Sequence, residues 1–301
     1  VATSACIAEN ATLASTDFTY TISPDIPSHV TFADKKISLD RTDMYERYDR
    51  ELSALTYTHG TTLLTLKRAN RYFPMIIPIL KKNNVPEDII YLACIESNLN
   101  IRAYSPAKAA GLWQFIPATA KAYGLEVNEY VDERYDPELS TEAACRYLKK
   151  AFRQYGNWES VAASYNAGTG RITKELAAQN QSSAYDLYLV DETSRYMFRL
   201  LAMKEIMEHP VDYGFVLRAD QLYNTIQYTY VEVDCPIESW VDWAAEHGLS
   251  YAQLREHNPW IRAKSLPNKT GKTYRVRIPE KADLYRSSAA KSIYDQRWIA
   301  N

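Results

Sequence analysis

Glu96 is the residue around which chemistry can be built in this sequence. The stretch Glu87–Asn98 reads as a helix, and Ile89, Leu92 and Ala93 share a face with Glu96 by i, i+3, i+4 spacing. A carboxyl group on an apolar face is desolvated, which raises its pKa. It then holds a proton near neutral pH and can act as a general acid. Spacing alone leaves two other readings open: a Glu paired with a buried Arg, or one turned to solvent. Metal and redox chemistry find no foothold. The five histidines never form a cluster such as H-E-x-x-H, and Cys6, Cys94, Cys145 and Cys235 lack metal-ligand or redox-motif spacing. No metal and no cofactor are expected, and Cys94 and Cys145, in helix-like stretches, read as buried free thiols.

The elements that must position Glu96 are mostly helical. From Asp40, Met44, Tyr48, Leu52 and Leu55 recur at threes and fours. A second helix is predicted over Thr61–Asn83, with Pro74 and Pro78 breaking or kinking it. Pro86-Glu87-Asp88 opens the Glu96 helix with proline early and acids in the first turn. Further helices are predicted at 117–123, 139–155, 158–165 and 191–208, with Gly124 and Gly156 at helix ends. Five of the nine glycines fall between 111 and 170, concentrating tight turns where a cleft would be shaped. Strand-like runs occur only late, at Gln227–Val233 and Thr273–Ile278. Residues 1–38, rich in Ser, Thr and Pro, read as an extended or wrapping arm.

Bulk properties fit this picture. Apolar residues make up 46% of 301 and charged residues 24%, as in an ordinary globular chain with one large and one small domain. A formal charge of -2 offers no global attraction to nucleic acid or to an anionic membrane. No apolar run reaches membrane-spanning length. The small residues Thr3-Ser4-Ala5 before Cys6 hint at a lipidated cysteine, but the apolar residue usual there is missing, and chance is the better explanation.

Four segments, in order and spacing, carry a family resemblance: Glu96-Ser97, Gly111-Leu112-Trp113-Gln114-Phe115, Ser164-Tyr165-Asn166-Ala167-Gly168 and Glu192-Thr193-Ser194-Arg195-Tyr196. Together they resemble the signature motifs of the family 1 lytic transglycosylases (SLT domain), in the style of the membrane-bound lytic murein transglycosylase D group. The resemblance covers about residues 72–210. It implies a goose-type lysozyme-like helical fold and non-hydrolytic cleavage of the β-1,4 bond between N-acetylmuramic acid and N-acetylglucosamine. Glu96 would protonate the glycosidic oxygen and then take the proton of the muramoyl C6 hydroxyl, which closes on C1 as a 1,6-anhydro ring. The tethered hydroxyl would replace the second acid most glycosidases need. Substrate-binding positions implied by the match are Ser97, Ser105, Gln114, Tyr165, Asn166, Glu192 and Tyr196, with Tyr165 expected to hydrogen-bond Glu96 and Asn166 to fix the loop or the sugar. Cap, turn or core roles stay open for Ser97, Asn166, Trp113, Phe115 and Tyr196. Trp113 and Phe115 are bulkier than the Met and Ile common at these places in the family.

Residues 228–279 read strand, helix, helix, strand (Tyr228–Val233, Ile237–His247, Tyr251–His257, Tyr274–Ile278), and this order with Leu254-Arg255-Glu256-His257-Asn258-Pro259 resembles a LysM peptidoglycan-binding module. Asp234-Cys235-Pro236 replaces the usual Gly-Asp-Thr, so packing on the catalytic domain and glycan binding are both open. The expected layout is an arm (1–38), a lysozyme-like domain (39–215), a LysM-like α+β domain (216–280) and a helical docking tail (281–301). The fold class is mainly α with a small βααβ domain. The expected partner is peptidoglycan glycan strands and not nucleic acid, the assembly a monomer, and the location the periplasm with outer-membrane association open. The alternatives are a muramidase on the same fold, using Glu87, Asp88 or Glu142 as second acid, and a non-catalytic wall-binding protein.

Overall fold

The computed structural model describes residues 21–286 and 292–299. The larger unit begins with a hairpin of β1 (His29–Phe32) and β2 (Lys35–Ser38), followed by α1 (Thr42–Tyr57), α2 (His59–Lys82) and α3 (Ile90–Ser97). Then come α4 (Pro117–Ala122), α5 (Pro137–Tyr155), α6 (Trp158–Ala167), α7 (Thr169–Ala178) and α8 (Asp191–Glu208). Helix α8 is the hub. Thr193, Tyr196, Met197, Phe198, Leu200, Leu201, Met203 and Ile206 are all buried, and only Asp191 and Glu192 at its start are exposed, so it is enclosed on most sides. Helices α1, α3 and α6 each pack against it.

The hairpin corrects the expectation that strands occur only late. Its turn, Ala33-Asp34, holds both residues at positive φ (50° and 63°), the geometry of a tight primed turn. The sequence lacks the glycine or asparagine that usually announces such a turn. An external partner fixes it instead: the Ala33 N–H donates to the Asp88 carboxylate at 2.8 Å. Val30, Phe32 and Ile37 then enter the main core. The first twenty residues, with Cys6, lie outside the described residues.

Helix α2 runs through Pro74 and Pro78 as one element. Phe73, Ile76, Ile77 and Leu80 are buried, whereas Pro78 is exposed and Pro74 half-buried. The missing donors thus fall away from the core, and burial of the inner face outweighs the local penalty. Cys94 and Cys145 are buried free thiols, as expected.

The smaller unit is β3 (Tyr228–Val233), α9 (Trp240–Glu246), α10 (Tyr251–His257) and β4 (Tyr274–Pro279). The two strands pair antiparallel from Tyr228↔Pro279 to Val233↔Tyr274. Trp240, Leu254, Trp260 and Val276 fill its own core, which Val131 of the larger unit completes. The units are joined by backbone as well as side chains. The Asp132 N–H donates to Trp260 O at 2.9 Å and the Arg262 N–H to Tyr130 O at 2.8 Å. Buried Arg277 of β4 forks onto Asp136 (2.6 and 3.0 Å) and reaches Glu138 (2.6 Å).

The described residues of the tail do not form the predicted helix. Its described part contains two 3₁₀ turns, Lys281–Leu284 and Gln296–Trp298. It docks through an aromatic cluster, Phe73, Tyr294 and Trp298, and through the Trp298 indole N–H on Met207 O at 2.8 Å.

Candidate active site

Glu96 sits in the last turn of α3, which ends at Asn98 in the left-handed conformation (φ 50°). The helix is short and apolar: Ile90, Tyr91, Leu92, Ala93 and Cys94 are buried, leaving Glu96 half-buried at its end. The Tyr196 hydroxyl of α8 donates to Glu96 Oε1 at 2.7 Å. Desolvation pushes the Glu96 pKa up to about 7, Glu192 pushes the same way, and the Tyr196 bond and the Arg199 charge oppose them. The arrangement is a carboxyl that is protonated on a large fraction of molecules at neutral pH, which is what a general acid requires.

The expected partner of Glu96 was Tyr165, and the structure corrects this. The Tyr165 hydroxyl donates to Trp113 O at 2.6 Å, pinning the 111–115 loop to α6. Tyr165 nonetheless stands near the carboxyl, close enough for the Glu96 charge to hold its phenol well above the usual range, behind desolvation as the main cause. The difference is one of direction along α6: a residue can neighbour Glu96 while its hydroxyl is spent elsewhere.

The 103–115 loop is drawn tight by its own backbone. Gly111 N–H donates to Ala103 O and Ser105 N–H to Ala109 O, both at 2.9 Å. Gly111 has φ +76°, and a Cβ there would stand 1.9 Å from Arg134 O, so only glycine fits. Buried Arg134 holds the loop from behind, donating to Lys108 O (2.6 Å) and Phe115 O (2.8 Å) while forking onto Asp132. Gln114, at φ 48°, donates its amide to Gly111 O at 2.8 Å. Ser105 Oγ accepts from Ala109 N–H at 3.1 Å.

The remaining expected residues divide. Glu192 and Tyr196 are brought to Glu96 by α8, Glu192 exposed and Tyr196 buried. Asn166 is half-buried on α6, with its side-chain amide unbonded to any described residue. Ser97 turns away. It is buried and its hydroxyl donates to Ala93 O at 3.0 Å, the helix-internal role left open above. Trp113 is fully buried, its indole N–H on Thr141 Oγ1 at 2.9 Å. Phe115 is core as well.

Two residues of consequence escaped the sequence reading. Arg199 extends the α8 face that bears Glu192 and Tyr196, and its spacing was a usable signal. Buried Glu51 of α1 accepts from Arg195 (2.5 Å) and Arg199 (3.2 Å), locking the α8 face beside Glu96. It lies at i+3 from Tyr48 on an apolar face, so the test applied to Glu96 would have found it too. Among the described residues no group of His, Cys, Asp and Glu could hold a metal ion, and no helix is long and apolar enough to cross a membrane.

Comparison with known proteins identifies relatives of the chain. Residues 74–188 match the family described as the transglycosylase SLT domain, and residues 229–282 the soluble lytic transglycosylase C-terminal LysM-like domain. Membrane-bound lytic murein transglycosylase D of Escherichia coli (strain K12) is 30% identical over 251 residues, covering 81% of this chain and 54% of the relative. Peptidoglycan transglycosylase gp16 of Escherichia phage T7 is 36% identical over 124 residues, 40% of this chain and 9% of that one. The solved 70 kDa soluble lytic transglycosylase of Escherichia coli superposes with a TM-score of 0.41 at 20% identity, over 55% of this chain and 31% of that one. The chain thus spans about half the length of the first of these relatives.

Proposed function

Because the chain belongs to the SLT transglycosylases, with an SLT domain over residues 74–188 and a LysM-like domain over 229–282, we propose that it cleaves peptidoglycan glycan strands as a lyase, leaving 1,6-anhydromuramoyl ends. The single observation that carries this is the desolvated Glu96 carboxyl at the end of α3, held by the Tyr196 hydroxyl. Glu96 has its pKa pushed up to about 7, and the carboxylates considered as second acids are engaged elsewhere. Glu142 meets Lys82 and Asn83, Glu87 meets Lys81, and Asp88 meets Ala33 N–H and Lys204. Among the described residues, Glu192 is the carboxylate whose charge bears on Glu96, and it acts by holding the proton on it.

The residue roles follow from that reading. Protonated Glu96 gives its proton to the glycosidic oxygen as the bond to C1 breaks. The resulting carboxylate, steadied by the Tyr196 hydroxyl, takes the proton of the muramoyl C6 hydroxyl as that oxygen closes on C1. Proton and electron pairs balance without water, and the tethered nucleophile supplies the proximity a second acid would otherwise provide. Ser105, Gln114 and Asn166 line the sugar path, while Ser97 and Tyr165 act through the scaffold. The substrate places the protein in the periplasm, with association to the outer membrane as a finer part of the proposal, and it works as a monomer.

Mass spectrometry of digested peptidoglycan in ¹⁸O-labelled water tests the reading. Anhydro ends without label are expected, and stoichiometric label at new muramoyl ends would make the protein a muramidase. No release at all would make it a wall binder.

Tyr196→Phe supplies a second expectation. The Tyr196 bond favours the ionised carboxylate and lowers the Glu96 pKa. Its loss should therefore raise that pKa and move the alkaline limb of the kcat profile to higher pH. The loss of one hydrogen bond should also cost roughly 0.5–1.5 kcal/mol of stability. An unmoved limb, measured alongside a chemical denaturation curve, would show that Tyr196 is purely structural.

A further inference from the structure

A cleft of about 910 Å³ lies where the two units meet, and nothing in the reaction just described uses it. One wall is the start of the loop that carries Ser105 and Gln114, with Tyr104 60% exposed. The other is α10 and the segment after it, with Tyr251, Arg255 and Arg262. Tyr135 lies between them.

The charges do not cancel. Arg134 is spent on Asp132, and Arg102 on Glu256. Arg255 and Arg262 make no ion pair with a described carboxylate. Arg255 Nη1 donates to the Tyr251 hydroxyl at 2.9 Å, while its Nε is buried and unpartnered. Arg262 gives one N–H to Pro259 O at 3.2 Å and lies over the Tyr135 ring at 4.5 Å. A guanidinium seated on a ring with donors to spare is a fork for a carboxylate. The volume exceeds what a simple anion needs and falls in the range of sites that take a small organic chain.

We propose that this cleft binds a carboxylate-bearing peptide, namely the short acidic peptides that branch from the glycan, with Arg255 and Arg262 on carboxylates and Tyr104 against the peptide backbone. The assignment rests on peptidoglycan as substrate. Tyr104 on the cleft wall is the chain neighbour of Ser105, which the proposed function assigns to the sugar path, so the cleft adjoins that path. The LysM-like unit then serves as a wall of the substrate site rather than as a separate anchor.

The test compares wall fragments bearing peptides with the same strands stripped of peptide by an amidase, cleaved by wild type, Arg262→Gln and Arg255→Gln. Arg262 is exposed and its replacement leaves the core intact, which guards against a folding failure at Arg255. On peptide-bearing strands the variants should raise KM about tenfold with kcat little changed, and the wild-type preference should weaken with salt. On stripped strands all three proteins should have the same KM. Equal rises on both substrates, no rise on either, or no wild-type preference would overturn the proposal. Should wild type cleave neither strand, the lyase reading fails. Titration of Glu96→Gln protein with the free amidase-released peptide then decides the cleft separately: saturable binding lost in Glu96→Gln/Arg262→Gln supports it, and absence of binding overturns it.

Discussion

Replacing Glu96 with glutamine is expected to slow glycan cleavage by at least 10²–10⁴-fold, about the contribution of a positioned acid–base group, while glycan binding persists. The amide is nearly isosteric but has no proton of the required acidity. The structure adds a stability signature that activity alone would not give. The Glu96 pKa is raised from the ordinary carboxyl value to about 7, mainly by desolvation. The folded protein therefore binds a proton more tightly than the unfolded chain. This contribution to stability is fully present below the unfolded value near 4.5 and is lost as pH rises through about 7. A shift of this size corresponds to about 3 kcal/mol at most. Glu96→Gln removes the titration, so the variant should gain stability relative to wild type as pH rises from 5 to 8. The acid form does the first step, so wild-type kcat should fall above pH 7. Denaturation curves across that window check the first point, and a pH–rate profile the second. Parallel stability curves would mean that Glu96 ionises freely in the fold, and near-normal cleavage by the variant would remove it from the chemistry.

What could be read ahead of the structure follows a physical boundary. The Glu96 helix and the Gly156 end of α5 are written in local chemistry, apolar spacing and a left-handed glycine, whereas the start of α5 at Pro137, capped by Asp136, lies two residues before the predicted one. The hairpin was invisible because its turn is held by Asp88, fifty-five residues away, and not by its own residues. The α2 prolines misled for the converse reason, since burial of a distant-facing surface outweighed a local penalty. At the site, sequence located the participants but not the vectors. Tyr165 and Tyr196 both surround Glu96, yet which hydroxyl reaches it depends on how α6 and α8 cross, and spacing carries no such information. Ser97 is the plainest case: adjacency to Glu96 in sequence puts it about a hundred degrees round the helix, facing the core.

Arg277→Met is expected to destabilise the whole protein by about 3–5 kcal/mol, the usual cost of leaving a buried charge without its partner. Arg277 and Asp136 are 2% and 3% exposed and pair through two hydrogen bonds, so the strand of the small unit and the first turn of α5 are one electrostatic object. Asp136 also accepts from the Glu138 and Leu139 N–H groups that begin α5. One turn on, Thr141 holds the Trp113 indole, and the Trp113 carbonyl is held by Tyr165. Damage at the interface thus reaches the loop beside Glu96 through the first turn of α5 and Thr141. Adding Asp136→Asn to Arg277→Met removes the stranded charge and should restore part of the loss, so the double variant should lose less than the sum of the singles. Ending the chain at Phe215 goes further. It strips Arg277 and Lys272 from the acids Asp136, Glu126 and Glu133, uncovers Val131, and removes Trp298 from its seat on Phe73 and Met207. Loss of the indole alone should cost about 3–5 kcal/mol. The larger unit should therefore not survive as an independent enzyme, and cleavage of short soluble glycans should fall together with digestion of whole sacculi. A truncated chain that keeps its helical circular dichroism, unfolds at the wild-type urea midpoint and cleaves short glycans normally would show two separable modules. In that case the buried ion pairs only dock them.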